Sequence, residues 1–278
     1  TEILDGGQSG CFCHGTTVNE WVNSGHPTLF KDGINGVASD HYNEECIECH
    51  TLGYNHDPEA DNGGFDDVQA TTGWEFPETP QMGEWDSLVA NYPELAKLAS
   101  IQCENCHGPA NLHIEGEKAG TMAVSLEEGV CGACHDEKPY HRINLQWESS
   151  GHNFDPITAA HGAGARTYGC GDCHSGTGFM EANVEGTGIV HDPNNPVNVS
   201  CSVCHDPHTA TVREFDQVEL SNGTIVTAGG EGKLCMQCHH GRRDAESYAT
   251  EYHDHFGPHY SNQTDLLFGE NYVSFGLV

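Results

Sequence analysis

Hydrophobic and polar residues follow no regular period along most of this 278-residue chain, and only two stretches carry a readable pattern. Behind Pro93, which suits a first helical turn, Leu95, Leu98 and Ile101 recur at helical spacing, so a helix is predicted over 94–101. Residues 213–228 predict a β-hairpin, with Phe215, Val218, Ile225 and Val226 in the arms and Asn222-Gly223 at the turn. No run of about eighteen apolar residues occurs, so no membrane span is expected. The segment 266–278 is unusually apolar beside the rest of the chain and should bury against something. Elsewhere the 34 glycines and 12 prolines predict a coil-rich chain with short α-helices and a minor β-hairpin.

The sparse hydrophobic pattern is interrupted by a recurring word. Cys-x-x-Cys-His occurs six times: Cys46/Cys49/His50, Cys103/Cys106/His107, Cys131/Cys134/His135, Cys170/Cys173/His174, Cys201/Cys204/His205 and Cys235/Cys238/His239. This is the attachment signature of c-type haem, in which two thiols form thioethers with the macrocycle and the histidine becomes the proximal iron ligand. The remaining two cysteines form a shortened word, Cys11-Phe-Cys13-His14. A seventh haem accounts for it and leaves no cysteine over; a local disulfide, a small metal site with His14 or a haem held by one thioether are the alternatives. If the short word is not used, six haems remain. A zinc reading fails because structural zinc needs four Cys/His ligands and no histidine directly after every second cysteine.

Seven haems in 278 residues leave too little chain for an ordinary core around each, so the haems themselves are expected to be the core of one elongated unit spanning 1–278. Residues 57–92, in the widest gap between words, read as an insertion. Ten Lys+Arg against 42 Asp+Glu give a net charge of −32, which excludes nucleic acid as a partner. The acidic run 57–67 could hold calcium, although it lacks EF-hand spacing. Thr1-Glu-Ile-Leu-Asp is polar and acidic. Because thioether attachment takes place outside the cytoplasm, the chain is expected to be a mature product, extracellular or alternatively periplasmic, from which a signal peptide has been removed.

Twenty histidines less seven proximal ones leave thirteen for the second axial positions, against four methionines, one of which, Met236, lies inside a word. Bis-histidine, low-potential haems are therefore expected. Distal candidates are His56, His113, His141 and His208, each just after a word and too tightly tethered to reach the far face of its own iron, so that each should serve a neighbouring haem; the same tether applies most strongly to His240, which adjoins His239. His26 and His152 close two copies of Trp-x-x-Ser-Gly-His, and His161 follows the second copy. His41, His191, His240, His253, His255 and His259 remain unsorted.

The words, the segment Cys103-Glu-Asn-Cys106-His107-Gly-Pro-Ala-Asn-Leu-His113 and the Trp-x-x-Ser-Gly-His repeats resemble motifs of multihaem c-type cytochromes, and in style the extracellular cytochrome nanowire family of OmcS-type filaments. That resemblance implies an elongated fold around a stacked haem chain and a homopolymer in which one axial histidine comes from the next subunit. It also implies electron transfer to extracellular acceptors or other redox proteins. Histidines of 252–260 and the apolar 266–278 suit such an interface. A monomeric periplasmic shuttle is the alternative. A multihaem reductase is the rival from another class; it would need an open iron position, and every word here has its histidine.

Overall fold

The computed structural model describes residues 14–57, 60–109, 113, 124–136, 142–153, 170–192, 194–251 and 262–274. The chain divides into two compact units, Thr1–Gln146 with Pro207–Ala210, and Trp147–Asp206 with Thr211–Val278. Short helices joined by coil dominate both, as the composition predicts, and the described strands form one two-stranded sheet.

In the first unit the helices Leu29–Ile34, Phe65–Thr72, Glu84–Asn91 and Pro93–Ala96 surround a cluster of Phe30, Ile34, Tyr42, Ile47, Phe65, Trp85, Leu88, Leu95, Ala96 and Ala99. Phe30 and Phe65 meet edge to face at 5.5 Å, and Phe65 meets Trp74 at 5.8 Å and 88°. The stretch read from sequence as an insertion, 57–92, thus supplies Phe65, Trp85 and Leu88 to a core of side chains, where the sequence suggested that the haems themselves form the core. Two features fix the helix Phe65–Thr72. Asp67 Oδ2 accepts the backbone N–H groups of Asn62, Gly63 and Gly64 at 3.0, 2.9 and 3.3 Å, satisfying donors ahead of the helix. Gly73, at φ 71°, ends the helix in the left-handed conformation.

The helix predicted over 94–101 is shorter than its periodicity implies. It covers Pro93–Ala96, after which Leu52 N–H donates to Leu98 O at 2.8 Å and Thr51 bridges Ala99 in antiparallel fashion. Ser100, at φ 72°, completes the turn away from helix. Pairing with the chain that leaves the word at 46–50 outweighs local propensity.

In the second unit the helices Gly171–His174, Gly176–Asn183, Cys201–Cys204, Lys233–Met236, Ala245–Glu251 and Gln263–Phe268 are linked by coil. The predicted hairpin forms with strands Val218–Glu219 and Ile225–Val226, Val218 opposite Val226. Asn222 Oδ1 accepts Thr224 N–H at 3.1 Å, and Gly223 takes φ 82° at the turn. Phe215 lies outside the paired strands and packs on Phe179 at 6.1 Å. Val218, Leu220, Val226 and Met236 form a small cluster that Phe268 flanks. Of the apolar 266–278, the described Leu266, Leu267 and Tyr272 are 75%, 71% and 67% exposed. Among the described residues no helix is long and apolar enough to cross a membrane.

Candidate functional site

Each described Cys-x-x-Cys-His word coils into about one helical turn, which brings residues three and four apart onto one face. Cys103–His107 is helical throughout, and Cys131, Cys134 and His135 end the helix Gly129–His135. In the second unit the turn is closed by the histidine N–H donating to the first cysteine's carbonyl, at 3.0 Å for His174, 2.8 Å for His205 and 2.9 Å for His239. The word at 46–50 is wound more tightly: it lies on the 3-10 helix Glu44–Glu48, capped by Asn43 Oδ1, with His50 N–H reaching Ile47 O at 3.2 Å. No disulfide joins any of the twelve described cysteines to another. Among the described residues no three His, Cys, Asp or Glu side chains converge as a bare metal site would require.

The two units hold their words by the same devices. Trp21 Nε1–H donates to Ile101 O at 3.2 Å, and Trp147 Nε1–H donates to Val199 O at 2.9 Å; each carbonyl lies two residues ahead of a word's first cysteine, Cys103 and Cys201. Within the two Trp-x-x-Ser-Gly-His copies, Ser24 Oγ accepts His26 N–H at 3.3 Å and Ser150 Oγ accepts His152 N–H at 3.2 Å. The repeat seen in sequence is therefore a repeat of backbone geometry.

The words also meet one another. In the first unit Cys134 Sγ lies 3.8 Å from Cys49 O, and a hydrogen bond with Cys49 followed by burial pushes the Cys134 thiol up. In the second unit Cys173 Sγ lies 3.9 Å from Gln237 O and Cys238 Sγ lies 4.0 Å from Asp172 O. There the hydrogen bond between the two thiols pulls Cys173 down and pushes Cys238 up. Burial raises Cys106 and Cys204. In both units, then, the second cysteine of one word faces the second cysteine of another. Asn105 Nδ2–H donates to Thr51 O at 2.9 Å, tying the word at 103–107 to the residue after His50.

With this geometry in place, the family is decided by a match to known proteins. A family model described as cytochrome c7 and related cytochrome c matches residues 90–150 and 157–240. The chain belongs to this family of multihaem c-type cytochromes. A curated relative, the multiheme cytochrome MtrA of Shewanella baltica (strain OS185), is 23% identical over 150 residues, which are 51% of this chain and 36% of that protein. The chain thus covers about a third of the length of that relative. No solved structure matches.

As a c-type cytochrome the protein carries covalently bound haem c. The residues present fit that group: two cysteines one turn apart with an adjoining histidine supply the two tethers and the imidazole nitrogen it needs. The widest word gap and the aromatic core of 30–99 lie mostly ahead of residue 90, outside the family match.

The sequence-predicted distal histidines fall in different places. His113 comes to 6.0 Å from His14, His208 to 6.3 Å from His107 and His152 to 6.2 Å from His239, measured between ring centres. His56 is exposed, 3.0 Å from Glu48 Oε2. His26 is half-buried, and burial holds its pKa below the ordinary histidine value. Cys11, Cys13, His141 and His161 lie outside the described residues. For the acidic run 57–67, the Asp67 carboxylate accepts the three N–H groups described above and Asp66 Oδ1 accepts Asn55 N–H at 3.3 Å.

Three supporting residues were not singled out by sequence reasoning. Tyr42 Oη lies 3.0 Å from His50 Nδ1, with both side chains buried and the rings 5.4 Å apart. Burial, reinforced by Cys46, raises the Tyr42 hydroxyl pKa and keeps it protonated. Gly132 and Gly171 each follow a word's first cysteine, where an added Cβ would press on Asn144 Nδ2 at 3.0 Å and on His191 Nε2 at 2.8 Å. His191 is itself oriented through Nδ1 by Thr177 Oγ1 at 3.0 Å and Ser175 Oγ at 3.3 Å. The glycine inside a word was the available signal for this close approach.

Proposed function

We propose that this cytochrome relays single electrons along seven haems and turns over no substrate. The tethers are Cys11, Cys13, Cys46, Cys49, Cys103, Cys106, Cys131, Cys134, Cys170, Cys173, Cys201, Cys204, Cys235 and Cys238. The proximal ligands are His14, His50, His107, His135, His174, His205 and His239, and the distal ones are drawn from His26, His56, His113, His141, His152, His161 and His208. When bound, haem c supplies the one-electron ferric–ferrous couple. The chain tethers, spaces and encloses it. The observation that carries this reading is the meeting of words within each unit, Cys49 with Cys134 and Cys173 with Cys238. Tethering sulfurs of different cofactors lie side by side, and electron hopping requires such short separations.

We extend the reading to a subunit of an extracellular conductive filament. Exposure of Leu266, Leu267 and Tyr272 supports it, because an acidic chain that leaves adjacent large apolar side chains uncovered offers a surface to a second copy. Negative-stain electron microscopy of the native protein, with intact mass on the same sample, tests both parts. Long filaments and seven haems are expected; uniform small particles transfer the assignment to a periplasmic electron shuttle, and six haems remove the short word. Stoichiometric carbon monoxide binding by the ferrous protein would instead indicate open irons and an enzyme.

A further inference from the structure

A first-row metal–imidazole bond is about 2 Å long, as for zinc, and the ligating nitrogen lies about 1 Å from its ring centre, so two histidines on opposite sides of one iron have ring centres about 6 Å apart. His14 and His113, His107 and His208, and His152 and His239 are separated by 6.0, 6.3 and 6.2 Å. Every one of these pairs joins a word histidine to a histidine outside the words. The His107 and His208 rings are nearly parallel, at 17°, with their centres farther apart than the about 3.5–4.0 Å of direct face-to-face contact.

We propose that these three pairs are the axial ligands of three irons, so that each haem is clamped by a histidine distant in sequence from its own cysteines. The assignment rests on the haem-attachment reading above and adds to it which histidine serves which iron. His113 then serves the short word, not the word at 103–107 that precedes it. His208 serves the word at 103–107, not the word at 201–205 to which it is tethered. The Trp147-x-x-Ser-Gly-His152 turn, anchored by its indole at Val199, presents His152 to the last word. Each iron position is thereby locked by two segments that the backbone alone would leave independent.

The ring angles make the pairs distinguishable. Near-parallel imidazoles split the two iron π orbitals and give a low-spin ferric spectrum with three resolved g values. Near-perpendicular imidazoles leave those orbitals almost degenerate and give one feature at unusually large g. His107 with His208, at 17°, belongs to the first kind, and His152 with His239, at 76°, to the second.

The experiment compares the full-length holoprotein with His152→Ala, His208→Ala and His113→Ala by electron paramagnetic resonance, ferrous carbon monoxide binding and intact mass. Each variant should keep its haem count, convert one haem to high spin and gain one equivalent of carbon monoxide binding. His152→Ala should delete a large-g component, and His208→Ala a component with three resolved g values. His152→Met and His208→Met guard against disturbed folding, since each should remain low-spin while raising one reduction potential. Variants whose low-spin content stays at the parent level, or the reverse assignment of the two signals, overturn the pairing. A parent protein whose mass shows no haem on the peptides carrying His107 and His239 overturns the attachment reading itself.

Discussion

The segment 30–99 of the first unit and the segment 170–251 of the second solve the same problem differently. The first contains one word in its length and fills the remaining space with Phe30, Phe65, Trp85, Leu88 and Leu95, packed as in an ordinary globular core. The second contains three words, and its buried apolar side chains are spread along it, Phe179, Met180 and Val203 apart from the small cluster of Val218, Leu220, Val226 and Met236. Chain with few words must gather its apolar side chains into one core to offset the entropy of ordering, whereas chain dense in words can share that burial with the tethered groups. The lesson is that dependence on haem should vary along one polypeptide, high in 170–251 and low in 30–99.

The largest expected effect follows directly. Cys170→Ala/Cys173→Ala should lose one haem by intact mass and open 170–251 to proteolysis, while Cys46→Ala/Cys49→Ala should lose one haem and leave 65–99 protected; equal protection maps for the two variants would remove the contrast. Next, Phe65→Ala should destabilise the first unit by about 3–5 kcal/mol, read by denaturant unfolding, without changing haem count. Gly33→Ala places a methyl group against the Tyr42 ring and should cost about 1–3 kcal/mol in the same assay. The smallest effect is that of Tyr42→Phe, which keeps the stacking and deletes only Oη. It should cost about 0.5–1.5 kcal/mol and shift a single haem potential upward, because an iron-bound His50 loses a hydrogen-bond acceptor at Nδ1. A redox titration superimposable on the parent's would exclude that influence.

Much of the haem site was legible in the residues because thioether chemistry demands two thiols and a histidine at fixed spacing. The hairpin was legible too, since Asn222-Gly223 and the flanking β-branched residues act locally. The aromatic core was not, because Phe30, Phe65, Trp74 and Trp85 follow no common period and are gathered by contacts remote in sequence, such as Asn35 Oδ1 accepting Trp85 N–H at 3.1 Å. Helix 94–101 was overestimated for a related reason: periodicity reports one face of a helix, while the Thr51–Ala99 bridge that ends it depends on a partner strand.

By itself the sequence determined the cofactor class, the cysteines that face it and the acidic surface around it, since covalent attachment and formal charge are properties of residue type and spacing. The tertiary structure alone decided which words meet, through Cys49 with Cys134 and Cys173 with Cys238, and which histidine rings come together, His107 with His208 at 6.3 Å and His152 with His239 at 6.2 Å. Those choices join segments tens of residues apart, and only packing and hydrogen bonds formed in the folded chain, such as the Trp21 and Trp147 indole anchors, select one partner among thirteen available histidines.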